Sequence, residues 1–232
     1  MAKNNVEFGE GPIFTLTNYF IYFTLGNIYI VLLNLPIIFI LAVILSNGIN
    51  QAPVGFNVII FISCLPIGAA ATALFSVIGK LVRDKDISIT KDLFRAYKQN
   101  FLQATFLWFI EILSIMVLFV IARFLSSRGF PPLIVMFYYW LILFIFILGV
   151  YMLLILSRFK MKSIDILKLS LYFATTKIRN TLLNIIIIFI VALASIKVFI
   201  FILPFAASVV FFIIMLCNQK ILLEIEDKHC IK

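Results

Sequence analysis

Histidine occurs once in this chain of 232 residues, cysteine three times, and charged residues make up only 12% of it. Each scarcity closes off a class of function. His229 stands alone in the C-terminal tail, so no histidine-based nucleophile and base, and no histidine zinc set, assembles around it. Cys64 and Cys217 fall in apolar segments and Cys230 in the tail, without the paired spacing of a disulfide framework or a metal site, and they read as packing residues. No glycine-rich phosphate loop occurs, and no two acids share an apolar segment. A non-enzyme is therefore expected, with no catalytic, cofactor-binding or metal residues and no cofactor.

What the chain has in excess is grease. Hydrophobic residues make up 64% of it, and its mean hydropathy is +1.19, against roughly 45–50% apolar in soluble domains. Several runs exceed the ~20 apolar residues that cross a hydrocarbon layer of about 30 Å. Stretches such as 182–196 (LLNIIIIFIVALASI) are apolar on every side, which excludes the alternating pattern of a membrane β-barrel. The fold class expected is all-α, a polytopic transmembrane helix bundle forming a single integral membrane domain over residues 1–232. The N-terminus lacks a signal-peptide pattern and is expected to stay attached.

Six spans are expected at about 19–46, 56–82, 101–125, 132–157, 181–198 and 202–222, with five as the alternative. Residues 181–222 are too long for one crossing, and Lys197 and Pro204 suit a tight hairpin between the last two spans. The formal net charge of +9 follows this map and does not form one basic domain, so nucleic acid is not an expected partner. Six Lys or Arg fall between Lys80, at the end of the second span, and Lys98, six more between Arg158 and Arg179 after the fourth, one at the N-terminus and three at the C-terminus. Arg123, Arg128 and Lys197 alone lie opposite. The positive-inside rule then places both termini and both basic segments on the cytoplasmic side of the membrane.

Those segments, 83–100 and 158–180, are expected to form amphipathic cytoplasmic elbow helices against membrane lipid. In the first, Ser88 or Thr90 supplies a cap and Asp92 lies in the first turn, near the positive end of the dipole. Ile89, Leu93, Phe94, Tyr97 and Phe101 follow at helical spacing, with Lys91, Arg95 and Lys98 opposite. The second repeats the plan with Ser163, Asp165, Leu167, Leu171 and Ala174. Asn100 and Asn180 occupy equivalent junctions, so spans 2–3 and 4–5 read as two copies of one unit. Leu93, Phe94 and Tyr97 form a candidate ridge for docking a protein partner.

Residues 65–105 (LPIGAAATALFSVIGKLVRDKDISITKDLFRAYKQNFLQAT) resemble the YesL family, also known as domain of unknown function 624. The resemblance rests on a Pro and small-residue stretch, an apolar run ending in Lys80-Leu81-Val82-Arg83, an acidic turn, and Lys-Asp-x-Phe-Arg-x-Tyr-Lys-x-Asn-Phe. Asn34, Pro66, Gly68, Phe94, Asn100 and Phe101 fit the family pattern, and the likeness extends more weakly over most of the chain. Members are small bacterial membrane proteins often encoded beside carbohydrate ABC importers. The resemblance thus implies a non-enzymatic accessory or scaffold subunit associated with a carbohydrate ABC import system. It implies other membrane-protein subunits as partners, an ABC transporter being the candidate. An independent small-molecule permease is the alternative.

Within the spans, Glu111 is the one acid. It lies about ten residues from the start of span 3, near mid-membrane by that count, where an acid is costly and a functional suspect. Asn34, two residues before Pro36, is the polar candidate to line a cavity opened by Pro36, Pro66 and Pro204. Gly68, Thr72 and Ser76 recur every four residues and form a helix-packing face.

Overall fold

The computed structural model describes residues 12–47, 56–84, 87–198 and 203–230, and every element in them is an α-helix. The order is α1 (Pro12–Leu33), α2 (Leu35–Asn47), α3 (Phe56–Asp84), α4 (Ile89–Ser127), α5 (Pro132–Leu156), α6 (Ser163–Thr176), α7 (Ile178–Val198) and α8 (Leu203–Cys230). Without water to satisfy backbone groups, an apolar chain closes its hydrogen bonds within each segment, and the helix does this. Four helices are long and apolar enough to cross a membrane, and six crossings result if each of two bent pairs counts as one. The protein is a polytopic helix bundle.

The first expected span, 19–46, is not one helix. It breaks at Asn34, where α1 and α2 meet at 71°. Pro36 has no N–H to donate and its ring crowds the preceding turn. At the break the Asn34 side-chain amide folds back onto α1, donating to the Ile30 carbonyl at 2.8 Å. Pro66 stays inside an unbroken α3.

Near the end that holds the two basic segments, α3 packs as the central helix. Leu74, Phe75, Ile78 and Leu81 on it meet Leu93 of α4, Leu154 of α5 and Met215 and Leu222 of α8. A second cluster joins Leu107 of α4, Ile147, Tyr151 and Ile155 of α5, Ile166 and Phe173 of α6 and Ile221 of α8. Three ion pairs lie at this end: Lys80 to Asp92 at 2.9 Å, Lys177 to Glu224 at 2.7 Å, and Arg158 to Glu226. They place both basic segments and the C-terminal turns of α8 together.

The elbows differ from their expectation and from each other. Residues 89–100 are the first turns of α4, which runs unbroken for 39 residues, about 58 Å at 1.5 Å per residue. Nothing in 88–101 stops a helix, so surface helix and span fuse. The second elbow is a separate helix, α6, set at 93° to α7 across Lys177. Its Ile166, Ser170, Phe173 and Ala174 are buried, so one face is wedged among α4, α5 and α7, while Ile164, Leu167, Leu171 and Tyr172 stay exposed. Asn100 and Asn180 are not equivalent: Asn100 is mid-helix, whereas Asn180 comes just after the break and donates to the Cys217 carbonyl of α8 at 2.7 Å.

At the opposite end α4 and α5 continue as a two-helix hairpin, turned at Gly129 (φ +71°), a left-handed conformation that favours glycine. Arg128 lies over the Phe124 ring there. The α7 to α8 connection around residues 199–202, and the Lys197 and Pro204 side chains invoked for it, lie outside the described residues. The two helices are nonetheless distinct and packed together, with Asn218 donating to Asn184 at 2.9 Å.

Candidate functional site

Glu111 is the residue around which a site forms. It is 2% exposed, and neither carboxylate oxygen has a hydrogen-bond partner. The α4 helix presents it to Gly149 of α5, where any Cβ would collide with the carboxylate. Glycine is needed at 149 for this close approach. Gly149 precedes the end of α5 at Leu156 by seven residues, about 10 Å. Glu111 thus packs beside α5 about two turns before its C-terminal end.

A cavity of about 140 Å³ adjoins the carboxylate. Leu107, Ile110, Ile145, Leu148, Met152 and Leu167 give it an apolar wall, and Ser114 and Ser170 add two hydroxyls. Both hydroxyls already donate, Ser114 to the Ile110 carbonyl at 2.8 Å and Ser170 to the Ile166 carbonyl at 2.7 Å. Toward the cavity they offer oxygen lone pairs, as Glu111 does. The site is built of acceptors and lacks a donor.

One turn nearer the basic end lies a larger polar vestibule of about 700 Å³, lined by Gln99, Asn100 and Gln103 of α4 and by Lys160 to Ser163. The Gln103 amide spans it, donating to the Met161 carbonyl at 2.7 Å and the Ser163 hydroxyl at 3.3 Å. Gln103, Leu107 and Glu111 recur at four-residue steps on one face of α4. Ser163, Leu167 and Ser170 run beside them on α6, so vestibule and cavity stack along one seam. A neighbouring basic pocket of about 220 Å³ contains Lys80, Arg83, Asp92 and Arg95. There the hydrogen bond from Lys80, with help from the Ser88 N–H and Arg95, holds the Asp92 carboxyl below the usual carboxylate range.

The remaining sequence candidates fall elsewhere. Asn34 lines none of these cavities; it is buried at the α1 to α2 break, with its amide committed to Ile30. Gly68 faces Trp108 of α4, leaving no room for a Cβ, and the Trp108 indole N–H donates to the Cys64 carbonyl at 3.0 Å. Thr72 is buried and bonded to the Gly68 carbonyl, and Ser76 lines the basic pocket. Leu93 is corrected as a docking residue: it is 0% exposed, enclosed by α3. Phe94 stays 45% exposed while its ring meets Tyr29 of α1 edge-on, and Tyr97 is half-buried against Phe101.

Sequence reasoning missed Gly149 and the buried amides. Asn27 accepts from the Ser208 backbone and hydroxyl at 2.8 and 2.9 Å, joining α1 to α8. Asn218 and Asn184 join α8 to α7. Single asparagines in otherwise apolar runs were the available signal, since polar groups in a bilayer bond across helices. Among the described residues no three His, Cys, Asp or Glu gather as a metal set.

Together these features define a helical multi-pass membrane protein with a buried carboxylate beneath a polar vestibule. The family described as "Protein of unknown function, DUF624" matches residues 13–121, a segment that runs from α1 through most of α4 and contains Glu111. Over that segment the chain is similar to the DUF624 family, in agreement with the YesL resemblance. No curated protein and no solved structure matches it.

Proposed function

We propose that this chain is a non-enzymatic accessory or scaffold subunit of the bacterial plasma membrane, associated with a carbohydrate ABC import system, with its basic end and both termini in the cytoplasm. The observation that supports a scaffold is the outer α4 and α5 hairpin. Met116, Phe119 and Val120 on α4 and Met136, Phe137 and Trp140 on α5 are all exposed, Trp140 by 58%. Among the described residues little else touches this arm, which leaves it to lipid or to another membrane helix. Aromatic side chains anchor such contacts. The link to an importer rests on the family resemblance alone, and the orientation rests on the charge distribution.

Purification in mild detergent from the native host, followed by mass spectrometry, tests the reading. Importer membrane subunits are expected to co-elute. The triple variant Phe119→Ala, Phe137→Ala, Trp140→Ala is expected to lose them at unchanged expression and melting temperature. Retention of every partner by that variant removes the hairpin from the interface, and co-elution of none by the wild type removes the scaffold reading. Single cysteines at Arg128 and Lys162, after replacement of the native three, test orientation. An impermeant thiol reagent should reach the first and not the second in intact cells. A second reading, an independent small-molecule permease, is favoured by the vestibule and cavity at Glu111. Solute flux by the pure protein in liposomes is the outcome that selects it.

A further inference from the structure

We propose that Glu111 is an exchangeable proton-binding site, supplied from the polar vestibule at the basic end along the seam between α4 and α6. The inference goes beyond the scaffold reading and stands whether or not an importer is the partner. An ionised carboxylate among aliphatic side chains, with no donor in reach, carries a desolvation cost of several kcal/mol. Both Glu111 oxygens are in that position. The site is completed only by a species that brings its own positive charge or hydrogen.

The cavity decides which species fits. An alkali ion needs several oxygens around it, whereas this wall supplies one carboxylate and two hydroxyls among six apolar side chains. A sugar would bury its many hydroxyls against six apolar side chains here, with only one carboxylate and two seryl oxygens to meet them. A proton needs one oxygen, and a few waters complete its delivery. Among the described residues no charged partner competes from the packed helices. On α5 the Tyr151 hydroxyl is engaged with Thr181, and on α6 Asp165 and Lys168 are exposed, away from the cavity wall. On α3, Lys80 and Arg83 line the basic pocket and Cys64 the side near Trp108. The vestibule is open at Gln103, and Leu107 and Leu167 lie along the seam between it and Glu111. Such a barrier permits intermittent wetting and keeps the carboxyl otherwise dry.

The test uses the full-length protein in liposomes with dicyclohexylcarbodiimide, an apolar reagent that adds to protonated carboxyls. The carboxyl oxygen bonds to the central carbon of the reagent, and the carboxyl proton passes to its nitrogen. Peptide mass mapping is expected to place the label on Glu111, with labelling falling about tenfold per pH unit above its midpoint. In infrared difference spectra, wild type minus Glu111→Gln, a protonated carboxyl band is expected that shifts in D₂O while the protein stays folded. That deuterium shift decides the matter if labelling does not vary between about pH 5 and pH 9. Absence of label at every pH, or a carboxyl band that exchanges only on unfolding, overturns the proposal. Suppression of labelling by Na⁺ but not by choline at fixed pH also overturns it, in favour of an alkali-ion site.

Discussion

The two elbows read alike in sequence and fold differently, and the difference lies in the residues just C-terminal to each of them. Past Asn100 the chain continues with Phe101, Leu102, Gln103 and Ala104 and the helix runs on into the span. Past Ala174 come Thr175 and Thr176, whose hydroxyls bond back to the carbonyls of Leu171 and Tyr172. Lys177 then leaves helical geometry at φ −97°, ψ 54°. β-Branched residues that can bond to their own backbone weaken a helix end. The Thr181 hydroxyl spans the break to the Ala174 carbonyl at 3.0 Å, and Asn180 ties it to α8. A fused elbow makes a rigid rod with α4; a broken one makes a wedge that closes the Glu111 cavity.

The largest effect that sharpens this comparison is in the rod. Leu93 is enclosed by α3, so Leu93→Ala is expected to destabilise the protein by about 2–5 kcal/mol through the cavity it leaves. Its exposed neighbour is the control. Phe94→Ala removes one edge-on contact with Tyr29 and is expected to cost about 0.5–1.5 kcal/mol. Thermal melting followed by circular dichroism in detergent separates them, and equal losses would place both side chains on the same face after all.

Proline breaks the comparison from the other direction. Asn100→Pro interrupts an unbroken helix and is expected to cost about 3 kcal/mol. Ile178→Pro falls on the first helical position after the existing break, where a missing N–H is tolerated, and is expected to cost less than about 1 kcal/mol. If both variants melt alike, the junctions are equivalent, as the repeat pattern suggested.

Much of this was legible in the sequence. Apolar run length located α3, α4, α5 and α8, whereas the 71° break between α1 and α2 fell inside what read as one span. What was not legible required knowing which helix faces meet. Leu93 and Phe94 are adjacent and equally apolar, and only the position of α3 buries one and exposes the other. Gly149 sits in an unbroken greasy run and gains meaning only because Glu111 occupies the space beside it. Ser170 read as part of a surface elbow because the amphipathic period does not distinguish a helix resting on lipid from one wedged between spans.

The smallest expected effect concerns the ion pairs that pin the two elbows. Lys80 and Asp92 join α3 to the rod, and Lys177 and Glu224 join the break after the wedge to α8. Exposed pairs contribute about 0–1 kcal/mol, so neither is a main support, yet they should differ. The Asp92 carboxylate also accepts from the Ser88 N–H at 3.2 Å and lies in the first turn of α4, near the positive end of the helix dipole. Asp92→Asn is therefore expected to cost about 1 kcal/mol, and Glu224→Gln less than about 0.5 kcal/mol. The sign of the pH dependence comes from the Lys80 hydrogen bond. Because the folded Asp92 carboxyl titrates below its ordinary value, its contribution is fully present above the unfolded pKa of about 3.9. It is lost as pH falls through the folded value. Melting of wild type and Asp92→Asn should thus differ by a constant amount from neutral pH down to about pH 5 and converge below about pH 4. A gap that persists unchanged into that acid range would show that Asp92 acts through packing and not through its charge.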